Sequence, residues 1–373
     1  MSIIAQDIVS LYKDFWKGTN KDALFHITYN KHNKNTSATE AGLVKPWMEG
    51  SATWVFARSV YSAYKTGDMS KISDALDIIE HELSQEAYAG AGYPCFSLNT
   101  GAGCVAGMIT EYARYHNQTI WFELPEPWDY DRIIALQQDH MTGLAEVMFT
   151  AVSMTVDRLK DKAVISPLDL GGLADVLSSL RRTENILYDM YDYPEMIKES
   201  LWSLRAIWVN YHEKMTKILA DANKNMHSSW VKLLSDSVYY PSQCDVSAMI
   251  SPDMFEELVI PTLSDEFSSY KQTLYHLDGS GQIPHLRLLC SNPSLRAIQW
   301  VPEPGVSHFD PRYFPLYKSI ISYGRKIVFN CHTSTPDAIK GFFRVLPSES
   351  FFITVWANTY DEAMRYTDIK SLC

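Results

Sequence analysis

A histidine and an aspartate stand two residues apart in the stretch LYHLDGSGQIPH, directly before two glycines. Side chains at positions i and i+2 of a strand face the same side, so His276 and Asp278 can act on one ligand. A neutral imidazole and a carboxylate are both zinc ligands, and both can move protons. An Asp-Gly pair is also typical of a tight turn, so the spacing leaves two interpretations open, a chemical site and a turn.

Further candidate ligands follow the neighbouring predicted strands. Cys244 and Asp245 end the stretch PSQCD, and His332 follows KIVFNC. A catalytic zinc usually has three protein ligands and one open position. The predicted metal ligands are His276, Asp278, Cys244 and His332. The predicted catalytic residues are His276, Asp278 and Asp245. For His332 there is an alternative role, because its segment also has to start a helix at the Thr-Pro pair that follows.

Residues near the ends of two further predicted strands are candidates for binding a small-molecule substrate. The stretches SLRAIQWVPEPG and KIVFNC contribute Gln299, Trp300, Glu303 and Asn330. Amide and carboxylate groups fix the orientation of a ligand, and an indole ring can stack on a flat one. For Trp300 the alternative is equally good, because a large ring also fills a core.

These residues can meet only if the strands that carry them are parallel. The C-terminal half alternates the apolar strands QTLYHL, SLRAIQWV, KIVFNC and SFFITVWA with helices predicted over 283–291, 311–324 and 336–346. This alternation predicts a parallel sheet covered by helices. We favour an α/β fold of the (β/α)8 TIM-type barrel kind with N-terminal helical additions, whose catalytic groups gather at the carboxyl ends of the strands. The alternative is a doubly wound open sheet, but LNTGAGCVAG lacks the glycine spacing of a dinucleotide-binding turn.

Capping residues predict where several helices begin. The predicted caps are Ser251, Thr335 and Thr359, the last with Glu362 at capping-box spacing. A helix is predicted over 251–271, a long one from about Pro194 to Asn223, and a strand followed by a loop in AVISPLDLGG. We expect residues 1–90 to be mainly helical and the whole chain, 1–373, to form one domain, since no linker rich in Gly, Pro and Ser divides it.

The composition limits the classes of partner. The formal net charge of −11 makes the chain a poor partner for a phosphate backbone, so we expect no nucleic-acid partner. No apolar run is long enough to predict a transmembrane helix, and the N-terminus lacks the residue order of a signal peptide. We therefore expect a cytoplasmic protein without a membrane partner. The six cysteines are scattered without a CxxC pair, which favours free thiols.

Three segments resemble the uroporphyrinogen decarboxylase superfamily, which contains the decarboxylase itself and the cobalamin-linked methyltransferases. The segments are DLGGLADVLSSLRRTENILYDMYDYPEMI, QCDVSAMISPDMFEELVIPTL and YHLDGSGQIPHLRLLCSNPSLRAIQWVPEPG. The resemblance covers residues 160–365 well and the first 150 residues weakly. It implies a single β/α barrel and, as a family-level expectation, a homodimer.

The resemblance to the decarboxylase itself is incomplete. The decarboxylase grips the carboxylates of its substrate with N-terminal arginines, whereas the corresponding stretch ALFHITYNKHNKN has no arginine. Its Phe-Ser-Asp motif supplies a central aspartate, whereas PCFSLNTG has Leu98 in that place. Both differences, together with the acidic net charge, argue against a porphyrinogen substrate.

The resemblance to the methyltransferases is also partial. Those proteins carry His-x-Cys at a strand end and a later cysteine, which together hold zinc. His276 matches the histidine, Asp278 stands where the first cysteine would, and the later strand FFITVWAN has no cysteine. The resemblance therefore implies a zinc site in which Cys244, Asp278 or His332 replaces the missing ligands. Oxygen in place of thiolate should weaken zinc binding and raise the Lewis acidity of the ion.

From this resemblance and the His276–Asp278 strand end we expect a methyltransferase. It would move a methyl group from a small methoxyaromatic or methylamine-type substrate to a corrinoid carried on a partner protein. An aromatic content of 13% suits such substrates, since rings stack on aromatic molecules and attract cations. Two alternatives stay open: a decarboxylase-like lyase acting on another carboxylic substrate, and a non-catalytic barrel that binds a small molecule.

Overall fold

The computed structural model describes residues 4–31, 52–331 and 335–371, so the predicted ligand His332 lies outside the described residues. The helices are α1 (Gln6–Lys17), α2 (Ala52–Thr66), α3 (Ser70–Gln85), α4 (Cys104–Thr110), α5 (Tyr130–Ile134), α6 (Gly143–Leu159), α7 (Leu173–Arg181), α8 (Thr183–Asp192), α9 (Pro194–Ala222), α10 (Pro252–Met254), α11 (Ile260–Ser268), α12 (Leu286–Ser291), α13 (Phe314–Ser322), α14 (Pro336–Phe343) and α15 (Tyr360–Thr367). The strands are β1 (Leu24–Asn30), β2 (Glu86–Gly90), β3 (Cys95–Ser97), β4 (Arg114–His116), β5 (Thr119–Trp121), β6 (Val164–Ser166), β7 (Pro241–Gln243), β8 (Leu274–Asp278), β9 (Ala297–Val301), β10 (Lys326–Cys331) and β11 (Phe351–Ala357).

Seven of these strands form one sheet in the order β2-β1-β11-β10-β9-β8-β7. Neighbours pair in parallel except β2, which pairs antiparallel with β1. β3 and β6 form a separate parallel pair, and β4 and β5 an antiparallel one. From β7 to β11 the strands are neighbours in chain order, and the first strand pairs with the last, which differs from the reversed order of a doubly wound sheet. The protein is therefore an α/β protein with a large, mostly parallel sheet and many helices.

The alternation predicted for the C-terminal half is confirmed. β8 to β11 fall on the four apolar stretches, and short helices separate them. The long helix α9 ends one residue before its predicted end. The helix predicted over 251–271 consists of α10 and α11 joined by a π-helical segment, Phe255–Val259.

The predicted helix caps are also confirmed. Each cap oxygen accepts a hydrogen bond from the backbone N–H three residues later: Ser251 at 3.2 Å, Thr335 at 3.3 Å and Thr359 at 3.2 Å. The capping box at α15 is shifted by one residue, because the Glu362 carboxylate accepts from the backbone N–H of Asn358 at 2.9 Å. These bonds satisfy donors that a helix leaves free in its first turn.

The described residues up to 90 are mostly helical, and they also include strands that the sequence pattern does not predict. Helices α1, α2 and α3 occupy much of residues 1–90, but β1 is a seven-residue strand in the middle of the large sheet. Its sequence, LFHITYN, is rich in the aromatic and β-branched residues that favour strands. The N-terminal part therefore contributes directly to the sheet.

Side chains on one side of the parallel strands form two successive layers. The first is an apolar layer that packs against Tyr12 and Phe15 of α1. Its members on the strands are Leu24, Cys95, Val164, Leu274, Ala297, Val328 and Phe352. Two residues further along each strand, on the same side, the side chain is polar. This polar layer consists of His26, Ser97, Ser166, Gln243, His276, Gln299, Asn330 and Thr354. Polar groups thus lie over an apolar floor at the carboxyl ends of the strands.

Across the described ranges, none of the helices combines the length and the apolar character needed to cross a membrane.

Candidate functional site

A cavity of about 680 Å³ lies at the carboxyl ends of the parallel strands. The members of the polar layer that line it are His26, Ser97, Gln243, His276, Asn330 and Thr354. Three tryptophans also line it: Trp54, Trp230 and Trp356. A concave space with aromatic walls and a few fixed polar groups is the usual form of a small-molecule site. The cavity is therefore the natural place to look for the predicted residues.

His276 is held in one orientation by Gln299, its partner on the neighbouring strand. Nδ1 of His276 lies 2.8 Å from Oε1 of Gln299, and the indole N–H of Trp230 donates to the same oxygen at 3.2 Å. Because an indole N–H can only donate, the atom between the two rings has to be the amide oxygen. Nδ1 of His276 must then carry a proton, so in the neutral ring Nε2 has a free lone pair.

Three potential metal ligands meet beside this imidazole. Nε2 of His276 lies 3.9 Å from Oδ2 of Asp278. One ligand atom from each of Asp245, His276 and Asp278 lies within 4.8 Å of the others. We call these three residues the rim group. The two aspartates are exposed and the histidine is half-buried, so a ligand can reach all three.

The turn after β8 brings the rim group together. β8 ends at Asp278, and Gly279 follows with a φ of 77°, which a residue with a side chain rarely adopts. The Glu303 carboxylate accepts the next backbone N–H, that of Ser280, at 3.1 Å. The stretch LYHLDGSGQIPH is thus a turn, and the same turn places His276 and Asp278 beside Asp245.

The rim group carries more acidic than basic groups. Burial raises the pKa of Asp278, the charge of Asp245 adds to that effect, and His276 opposes it. Behind Asp245 lies Asp175, whose Oδ1 accepts the backbone N–H of Val246 at 2.9 Å. Burial, with the charge of Asp245 as second cause, raises the pKa of Asp175 to about 7. A cation bound at the rim would offset this excess of negative charge.

The donor set of the rim group fits a divalent metal such as zinc. At a tetrahedral ion with bonds of about 2.1 Å the ligand atoms lie about 3.4 Å apart. Nε2 of His276 and Oδ2 of Asp278, 3.9 Å apart, would have to close by about half an ångström. The ligand atom of Asp245, within 4.8 Å of the other two, would need a side-chain movement of up to about 1.4 Å. A histidine and two carboxylates would leave a fourth position open, as in catalytic zinc sites.

Cys244 does not belong to the rim group. It is buried beside Asp245, and burial raises the pKa of its thiol well above the usual range. β7 ends at Gln243 and a 3-10 helix begins at Asp245, so the chain changes direction here and Asp245 reaches the rim while Cys244 does not. The position of Cys244 does not match the metal-binding role expected from the sequence.

Trp300 and Glu303 also lie away from the cavity. Trp300 is fully buried and packs edge-on against Tyr313 with 5.1 Å between ring centroids. The Glu303 carboxylate accepts hydrogen bonds from the backbone of Ser280 and from the Tyr313 hydroxyl. Their positions fit structural roles and not the expected contact with a substrate. Of the predicted substrate-binding residues, Asn330 lines the cavity and Gln299 contacts His276.

A second acidic region of the cavity was not selected from the sequence. Asp169 follows β6, and its Oδ1 accepts hydrogen bonds from Tyr240 OH at 3.1 Å, Gln243 Nε2 at 3.1 Å and the Gly171 backbone at 3.0 Å. Burial raises the pKa of Asp169, while the bonds from Tyr240 and Gly171 oppose that effect. We call Asp169, Tyr240 and Gln243 the wall group.

Lys232 is the one lysine or arginine among the described residues that line the cavity. Its φ of 59° is unusual for a residue with a side chain, and its carbonyl accepts the hydroxyl of Tyr93 at 3.1 Å. Its charge opposes the burial that raises the pKa of Glu86. The same charge adds to burial in lowering the pKa of His26. The basic side chain therefore faces the His26 and Glu86 side of the cavity.

One sequence signal could have identified the polar layer. In each strand that contributes to the polar layer, a buried residue is followed two positions later by a polar residue on the same side. Searching for this shared pattern would have added Gln243 and His26 to the candidates. No comparable signal marks Tyr240, because its hydroxyl meets Asp169 across 71 residues of chain.

No protein-family model and no curated protein matches the chain. Among solved structures, a methyltransferase from Methanosarcina mazei is similar with a TM-score of 0.60 and 12% sequence identity. The match covers 98% of this chain and 98% of that chain. At so low an identity the similarity shows a shared α/β fold.

Proposed function

We propose that the protein is a methyltransferase of the uroporphyrinogen decarboxylase superfamily. It would move a methyl group from a small methylated substrate to a corrinoid on a partner protein. The observation that carries this proposal is His276, whose free Nε2 faces Asp278 beside Asp245. The fold shared with a methyltransferase and the resemblance of the YHLDG segment support the same function.

The proposal includes a closed barrel of eight parallel strands. β3 and β6 would fill the gap between the two ends of the large sheet, since their residues Cys95 and Val164 belong to the same apolar layer as the other strands. The bond from Gln243 to Asp169 joins the β7 edge to the segment after β6. On the other edge, Ala91, directly after β2, extends the pairing of β2 with β1 by donating to Phe25 at 2.7 Å, and the chain reaches β3 four residues later.

Zinc would be held by Asp245, His276 and Asp278. When bound there, it would act as a Lewis acid that stabilises negative charge on the oxygen of a methoxy donor, whereas a protonated amine would leave as a neutral amine without such a charge. The rim residues support this arrangement because Nε2 of neutral His276 has no proton to donate to a leaving group. Two ionised carboxylates cannot stabilise negative charge either. A bound cation is therefore the simplest way for the rim group to assist the reaction.

The other cavity residues would bind and orient the methyl donor. Trp230 offers an aromatic face, and its N–H keeps Gln299 and thereby His276 in place. Asn330 is fixed by the Thr354 hydroxyl, which donates to its Oδ1 at 2.6 Å. In the transfer, the bond between the methyl carbon and the heteroatom breaks and its electron pair stays on the heteroatom. The reduced corrinoid supplies the electron pair for the new bond to the methyl carbon.

The test combines metal content with methyl transfer. Elemental analysis of the purified protein should find about one zinc per chain, and His276→Ala should lose it. With a reduced corrinoid protein and a panel of methoxyaromatic and methylamine substrates, the wild type should transfer methyl groups and His276→Ala should not. The exposed variant Asp161→Asn serves as the matched control.

Other outcomes would favour the alternatives. Carbon dioxide release from a carboxylic substrate by a metal-free protein would contradict methyl transfer and favour a lyase. Tight binding of a methylated molecule without turnover, unchanged in His276→Ala, would favour a binding protein.

A further inference from the structure

The wall group presents one carboxylate oxygen to the cavity in a fixed orientation. The Tyr240 hydroxyl accepts the backbone N–H groups of Leu170 at 2.8 Å and Gly171 at 3.2 Å. Its own hydrogen is therefore left to donate to Oδ1 of Asp169. The Tyr240 ring is packed against Trp208 and Trp230, with centroids 4.9 and 5.8 Å away. This frame fixes Oδ1, while Oδ2 of Asp169 has no partner among the described residues.

Gln243 adds a second acceptor beside this carboxylate. Its side chain is 7% exposed and lines the cavity. The atom 3.1 Å from Oδ1 of Asp169 has to be the amide nitrogen, because an ionised carboxylate only accepts. Oε1 of Gln243 is thus the atom left without a hydrogen-bond partner in the described part of the chain. Because Gln243 lines the cavity, this oxygen can accept a hydrogen bond from a ligand there.

The charges around the cavity favour a cation as that ligand. No lysine or arginine of the described ranges forms an ion pair with Asp169. The described lining residues include the carboxylates of Glu86 and Asp169 and the ammonium of Lys232, whose charge acts on Glu86 and His26. The Trp230 ring, which also lines the cavity, offers an aromatic face that attracts cations.

We propose that Asp169 and Gln243 bind the protonated nitrogen of an N-methylamine through its N–H groups. This inference rests on the proposed function and narrows its substrate class. An N-methylammonium with an N–H complements two neighbouring acceptors and their negative charge. A methoxyaromatic ether has neither charge nor donor, and a quaternary ammonium has charge without a donor. The methyl donor is therefore an amine that still carries a proton, so that it leaves as a neutral amine and its nitrogen does not need the Lewis acid that an ether oxygen needs.

Equilibrium binding to the purified full chain tests this subsite without a corrinoid protein. Three probes of similar size separate the contributions: N-methylbenzylammonium, benzyltrimethylammonium and benzyl methyl ether. Calorimetric titration at neutral pH should show the protonated amine binding at least about 10-fold tighter than either other probe, since charge-assisted hydrogen bonds are the stronger ones. Equal affinities for the amine and the ether, or no amine binding at millimolar concentration, would contradict the proposal.

Two variants locate the effect. Asp169→Asn keeps the shape but removes the charge, and should weaken amine binding about 10- to 100-fold while leaving the ether unchanged. Gln243→Met removes the second acceptor and should weaken the amine about 3- to 10-fold. The exposed Asp161→Asn should bind all three probes as the wild type does. An unchanged amine affinity in a folded Asp169→Asn variant would overturn the inference. If that variant does not fold, the preference of the wild type for the amine over the other two probes still tests the inference.

The same measurements keep this inference distinct from the proposed function. Amine-selective binding that depends on Asp169 supports the subsite even if no methyl group reaches a corrinoid. Methyl transfer that occurs from ethers and not from amines would overturn the subsite and leave the methyltransferase proposal standing.

Discussion

The rim group and the wall group both present aspartate carboxylates near one cavity, but they hold them in opposite ways. The rim carboxylates of Asp245 and Asp278 are exposed, and the hydrogen bond that Asp245 accepts from Gln282 is long at 3.4 Å. The wall carboxylate of Asp169 has three donors on one oxygen and a frame of packed rings behind them. The same residue type is adjustable in one place and fixed in the other.

This difference indicates separate tasks. The loosely held carboxylates around His276 can move towards a bound ion, which needs its ligand atoms closer to one another than they are now. A fixed carboxylate selects a ligand whose donors already match its direction. The environment of each aspartate, and not its chemistry alone, assigns the role.

The largest expected difference between the groups concerns zinc affinity. His276→Ala should weaken zinc binding by more than about 100-fold, because changes to residues that only support a ligand already cost about 10- to 100-fold. Asp169→Asn should change it by less than about threefold, because Asp169 acts on the rim only through space. Titration against a chelating dye measures both. Similar losses in the two variants would show that rim and wall are one site.

The next effect concerns how firmly His276 is held. Gln299→Leu removes the acceptor of Nδ1–H, so neutral His276 should lose its fixed tautomer and zinc affinity should fall about 10- to 100-fold. Nitrogen NMR of the imidazole ring in metal-free protein reports the tautomer directly. The control is Thr354→Val, which removes a hydrogen bond in the same polar layer without contacting His276. A single tautomer retained in Gln299→Leu would show that Gln299 does not position the ring.

Much of the fold was predictable because it depends on local patterns. Apolar runs of strand length, the capping residues and the Asp-Gly turn are encoded within a few neighbouring residues, and the structure has each of them near its predicted place. The strand β1 was missed because LFHITYN was interpreted only through its resemblance to another segment. Its partner, β11, lies more than 300 residues away, and no local pattern reveals that pairing.

The candidate site was predictable only where it follows one strand. His276 and Asp278 share a side of β8, so spacing alone brings them together. Trp300 is next to Gln299 in sequence but faces the core, which a list of strand-end residues does not distinguish. The wall group depends on a contact between Tyr240 and Asp169 that only the packing of separate elements creates.

A smaller effect concerns the free energy of unfolding, and we expect it only for a change in the wall group. Tyr240→Phe leaves the backbone N–H of Leu170 without its acceptor, while that of Gly171 keeps Oδ1 of Asp169, so the free energy of unfolding should fall by about 1–3 kcal/mol. Zinc affinity should stay as in the wild type. Chemical denaturation measures the stability of Tyr240→Phe against that of the control Tyr323→Phe, whose ring is partly exposed on the surface. A loss of zinc without a loss of stability would reverse the assigned roles.

A last effect is expected only as a change of stability with pH, and it separates the exposed rim carboxylates from Asp175 behind them. Its pKa of about 7 in the folded chain lies above the usual value near 4, so folding favours the protonated form. That contribution to stability is complete below pH 4 and is lost as the pH rises towards and through 7, at about 1 kcal/mol per pH unit. Asp175→Asn cannot ionise, so in metal-free protein its stability relative to the wild type should increase from pH 5 to pH 8. Denaturant titrations at both pH values measure this difference, with the exposed Asp161→Asn as control. A difference independent of pH would mean that Asp175 is as well solvated as the exposed Asp161.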